Sequence, residues 1–64
     1  MMDWKAFFDE LTDWLNQANL KFNEPDFWDW AVKSLGELGD RYDHPLTRRF
    51  LSETMAYLEG INNG

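Results

Sequence analysis

Two prolines divide this chain, and on each side of them the apolar residues recur at three- and four-residue intervals. That pattern constrains the fold more than any other feature. It is the period of a helix with one buried face. Sustained alternation is absent, and no Asn-Gly or Asp-Gly turn lies between apolar runs. The expectation is an all-α, compact three-helix domain spanning residues 1–64, with helices at about 3–18, 24–41 and 45–59 and two short connections.

In the first segment, Trp4, Phe7, Phe8, Leu11, Trp14, Leu15 and Ala18 fall on one helical face, with Asp3 as N-cap. Asn19 suits a left-handed C-terminal position, and Leu20 and Phe22 of the connection are expected to fold onto the core. In the second segment, Asn23 reads as the N-cap and Pro25 as a first-turn residue, where its missing N–H costs nothing. Phe27, Trp28, Ala31, Val32, Leu35, Leu38 and Tyr42 share one arc; Asp29, Lys33, Glu37 and Asp40 share the other. Asp29→Lys33 and Glu37→Arg41 are acid-before-base pairs at i,i+4. Gly36 and Gly39 weaken this helix and offer a close approach to a neighbour; Gly39 alternatively ends it.

The third segment opens at Asp43-His44-Pro45, where Asp43 or His44 caps the helix. Its apolar arc runs through Leu46, Phe50, Leu51, Thr54, Met55, Tyr57, Leu58 and Ile61, wide enough to imply contact with both other helices. Gly60 should close it, and Asn62-Asn63-Gly64 should fray.

Size and charge narrow the function. Sixty-four residues lie near the lower limit for independent folding. Aromatics make up 17% of them, including four Trp, and each ring buries roughly 150–250 Å². Association with a protein partner or with a second copy is a natural supplement to so small a core. A net charge of −6 argues against direct contact with nucleic acid or an anionic membrane. Without cysteine there is neither a disulfide nor a thiolate metal site. No apolar run approaches membrane-spanning length and no secretory signal opens the chain, so the expected address is the cytoplasm.

Catalysis finds no constellation. His44 is the only histidine and reads as a turn residue; no Ser or Thr has a partner at a fixed spacing. Asp40, Asp43 and His44 cluster at the second turn but lack a metal-binding spacing. Neither enzyme activity nor a cofactor is expected. Arg48 and Arg49, adjacent near the start of a helix where the dipole disfavours them, call for an acidic neighbour such as Asp40, Asp43 or Glu53.

Two features point to binding. Trp30 falls on the flank of its helix toward the charged arc; if open to water, it would form an apolar docking patch with Phe27, Trp4 or Phe22, and otherwise the Leu20–Phe22 connection or the N-terminus covers it. Asp9, Glu10 and Asp13 on the first helix, and Asp26, Asp29 and Asp40 on the second, form acidic faces that would imitate spaced phosphates. The leading expectation is a small acidic, non-catalytic protein that binds another protein or itself. The alternatives are an acidic nucleic-acid mimic that inhibits a host nucleic-acid-binding protein, and a structural accessory subunit.

The run Phe27-Trp28-Asp29-Trp30-Ala31, then Leu35-Gly36-Glu37-Leu38-Gly39 and Tyr42-Asp43-His44-Pro45-Leu46, resembles small uncharacterised helical proteins of Gram-positive bacteria and their phages. The resemblance implies a short, acidic, non-enzymatic product of a mobile element or its host, and it carries no functional residues.

Overall fold

Asp3 starts the first helix as its sequence position demands: its Oδ1 accepts the Ala6 N–H at 3.0 Å, satisfying one of the free donors of the first turn. The computed structural model, which describes residues 2–63, contains α1 (Trp4–Lys21), α2 (Phe27–Arg41) and α3 (Pro45–Asn63). These make a three-helix all-α domain, with no strand among the described residues.

Each helix differs from its expected bounds for a local reason. α1 runs through Asn19 to Lys21, and no non-glycine residue among those described has a positive φ. Leu20 therefore stays on the helix surface, 83% exposed, rather than folding inward; Phe22 does pack against the core. The second helix begins at Phe27, not near Asn23. Pro25 occupies the second position of a tight turn closed by Phe27 N–H donating to Glu24 C=O at 3.1 Å. Asp26, not Asn23, is thus the N-cap, and its side chain makes no capping bond.

α2 continues past Gly39 to Arg41, where Tyr42 N–H donates to Leu38 C=O. His44 caps α3, its Nδ1 accepting the Leu46 N–H at 3.1 Å. α3 then passes straight through Gly60, with no positive φ there, so glycine does not close it. Gly64, expected to fray, lies outside the described residues.

The core is the row Phe7, Leu11, Trp14 and Ala18 of α1, set against Phe27, Ala31, Leu35 and Leu38 of α2 and Leu51 and Leu58 of α3. α2 is the middle element, packed against both others. Gly39 permits its approach to α3: a Cβ there would lie 3.3 Å from Leu51 Cδ1. Gly36 faces open space and serves no such contact. Thr47, in the first turn of α3, is fully buried, and its hydroxyl has no hydrogen-bond partner.

Candidate protein-binding face

Across the α1–α2 seam, Trp14 and Trp30 stack with ring centroids 5.1 Å apart and planes within 7°. The Trp14 Nε1–H donates to Ser34 Oγ at 2.6 Å, and the Ser34 hydroxyl donates to the Trp30 carbonyl at 2.6 Å. Lys21 Nζ lies 5.7 Å from the Trp30 ring centroid, a cation–π distance. Trp30 is therefore half-buried and held in place by α1.

Of the docking patch expected around Trp30, Phe27 lies beside it at 6.0 Å between ring centroids and Phe22 follows against Phe27, whereas Trp4 is elsewhere. Phe27 is only 2% exposed, a core residue rather than a surface one. Phe22 packs on Phe27, 5.2 Å between centroids, beyond the C-terminus of α1. Trp4 sits at the opposite end of α1, against Phe8 and 5.1 Å from His44. Some 27 Å of helix separates the two ends, too far for one patch.

The acidic face on α1 is also reduced. Glu10 accepts a hydrogen bond from Arg41 at 2.6 Å and a second from the Tyr42 hydroxyl. The Tyr42 bond, aided by the Arg41 hydrogen bond and charge, holds the Glu10 carboxyl below its ordinary value, against a smaller opposing effect of burial. Glu10 in turn raises the Tyr42 hydroxyl above its own. Asp9 pairs with Lys5 at 2.7 Å. Arg41 reaches across to α1, so the expected Glu37–Arg41 pair is not formed; nor is an Asp29–Lys33 pair, among the described residues. Asp13, Asp26, Asp29 and Asp40 are exposed.

At the second turn Asp43 and His44 are engaged, while Asp40 and Arg49 form no ion pair among the described residues. Arg48 pairs with Asp43, which answers the need for an acidic neighbour. His44 is committed to its cap. Among the described residues no three His, Cys, Asp or Glu side chains are grouped to hold a metal ion. No helix there is long and apolar enough to cross a membrane.

The third seam is different. Among the described residues, no Cα of α1 comes within 8 Å of one of α3. Near the start of α1 the gap is bridged by side chains, with Phe8 and Phe50 rings 5.3 Å apart. Toward its end a hollow of about 450 Å³ opens, lined on its apolar side by Leu15, Ala18, Phe22, Tyr57, Leu58 and Ile61. Asn16, Asn19 and Asn23 supply uncharged amides to the same hollow.

Phe8, Leu15, Leu46, Phe50, Tyr57 and Ile61 consequently stay in solvent, from 37% exposed at Phe50 to 66% at Tyr57. The wide arc of α3 does touch both other helices, reaching α1 through Phe50 against Phe7 and Phe8, but half of its residues remain largely in solvent. The signal was present in the sequence as that excess width; three helices of this girth cannot bury it all. Compared with protein-family models, curated proteins and solved structures, the chain matches none of them.

Proposed function

We propose that this is a small acidic, non-catalytic protein that works by binding another protein, and that it binds through the open face between α1 and α3. The exposed apolar row of that face carries the reading. Isolated surface hydrophobics are ordinary, but a contiguous apolar strip flanking a hollow is the usual form of a protein-binding surface. A groove between two helices also fits the apolar side of an amphipathic helix. A bacterial or phage origin rests on the likeness of residues 27–46 alone.

Capture from native lysate, read by mass spectrometry, tests the proposal. Proteins retained by the natural chain should be lost when Tyr57→Glu places a charge on the face. Equal retention by both chains would refute the reading.

A second reading rests on α2. Asp26, Asp29, Glu37 and Asp40 are exposed along its outer side, about 21 Å from first to last. An acidic rail of that length supports mimicry of a nucleic-acid backbone, with Lys33 interrupting it. It predicts binding to a basic protein that weakens steeply with salt and is lost on Asp26→Asn with Asp29→Asn and Asp40→Asn.

A further inference from the structure

We infer that the partner on the α1/α3 face is a second copy of this chain, docked about a two-fold axis; the inference rests on the reading of that face as a binding surface. Three observations carry it.

The first is spacing. A two-fold interface must be self-complementary: where residue i meets residue j of the partner, j meets i. On α3, Leu46 and Ile61 are equidistant from the point between Glu53 and Thr54, and so are Phe50 and Tyr57. On α1, Phe8 and Leu15 are equidistant from the point between Leu11 and Thr12. These two midpoints stand at one level of the bundle, because Phe8 is beside Phe50 and Leu15 shares a hollow with Tyr57. A two-fold axis lying in the face, perpendicular to the helices at that level, lays α3 antiparallel on its mate and α1 likewise. Phe50 then meets the partner's Tyr57, Leu46 the partner's Ile61 and Phe8 the partner's Leu15.

The second is area. With exposures of 37–66%, these six side chains leave roughly 500 Å² of apolar surface per copy, given rings of about 150–250 Å² and somewhat smaller aliphatics. A stable interface buries about 800 Å² per partner, of which about 60% is apolar, the same amount.

The third is charge. Two molecules of net charge −6 repel, yet α3 is formally neutral, with Arg48 and Arg49 against Glu53 and Glu59. The hollow is lined by no charged side chain, its polar side chains being three amides and the Tyr57 phenol. Glu24, Asp26 and Asp43 place half of the acidic excess in the two connections, away from the contact; α1 and α2 are each net −1, and Glu53 beside the axis is matched within α3 by the arginines.

Sedimentation of the full chain up to roughly 100 μM, a range that detects micromolar pairing, is the first measurement. The mass should be twice 7.7 kDa. Tyr57→Glu, at a side chain 66% exposed in the single molecule, should raise the dissociation constant by about a hundredfold or more with helicity unchanged. Because the chain has no cysteine, single thiols report the geometry. Glu53→Cys beside the axis should be joined between copies by a short bismaleimide, and Asp29→Cys on outer α2 should not.

A chain that stays at 7.7 kDa throughout, or a dimer indifferent to Tyr57→Glu, overturns self-pairing. So does linkage through Asp29→Cys in preference to Glu53→Cys. A strict monomer whose capture of other proteins is abolished by Tyr57→Glu loses the second copy but keeps the binding face. If Tyr57→Glu alters neither association nor capture, both fall.

Discussion

Trp14 and Trp30 lie face to face, 7° from parallel and 5.1 Å between centroids, with Ser34 as the hydrogen-bonding link between the first indole and the backbone of the second. A tryptophan that falls off its helix's apolar stripe is thereby used as packing. Ser34→Ala leaves the Trp14 Nε1–H, on a residue only 6% exposed, without an acceptor. The expected cost is about 1–2 kcal/mol in chemical unfolding followed by circular dichroism. In a Trp14→Phe background the same change should cost nearly nothing, since both partners are then absent.

The Glu10–Tyr42 bond sets a pH window. The Glu10 carboxyl is depressed below its ordinary 4.5, so the folded state binds fewer protons there than the unfolded one. That stabilisation is complete above the ordinary carboxylate range and is lost as pH falls through the depressed value. Tyr42 is raised above 10.0, so its contribution is complete below that pH and is lost as pH rises through the elevated value. The urea midpoint should therefore fall at both extremes. Tyr42→Phe should remove the alkaline loss and shrink the acid one; unchanged limbs in that variant would contradict the assignment.

The two α2 glycines should respond differently to alanine. Gly36 meets nothing within 4 Å, so Gly36→Ala gains helix propensity alone, about 0.5–1 kcal/mol. In a domain this small that is a rise of several degrees in Tm, roughly 2–8 °C. Gly39→Ala makes the same gain but sets a methyl 3.3 Å from Leu51 Cδ1, and the two effects should nearly cancel. Equal rises in Tm for both variants would mean that Leu51 yields freely.

Thr47 is wholly buried with an unpartnered hydroxyl. Thr47→Val replaces that hydroxyl with a methyl of similar volume and should stabilise the fold by about 1 kcal/mol. A loss of stability in the urea midpoint would show that the hydroxyl is satisfied in solution.

Much of the fold was legible because it is local. The periodic apolar residues set the three helices, and Asp3, His44 and Pro45 act where their side chains or rings direct them. The errors came where local rules compete. Pro25 suits a first helical turn and the second position of a tight turn equally, and the chain uses the latter. Asn19 and Gly60 are ordinary stop residues that neighbouring helix formers carry through.

The candidate site was less legible. Trp30 reads as displaced toward the charged arc, but its stack on Trp14 depends on a residue sixteen positions earlier, and Phe27, grouped with it as a surface residue, is core. Glu10 belongs by spacing to an acidic face, yet Arg41 and Tyr42, more than thirty positions away, take up its carboxylate, Arg41 through an ion pair and Tyr42 through a hydrogen bond.

Residue order within a few turns is enough to set three helices, the apolar side of each and the net charge, but not how much of each side is buried: Val32, on the apolar arc of α2, is 62% exposed. Which sides meet emerges when the helices pack. Small residues let α2 lie close to its neighbours, whereas bulky side chains hold the backbones of α1 and α3 apart. That separation leaves six apolar side chains in water, and no local rule specifies it, since it arises from volumes contributed by two helices distant in the chain.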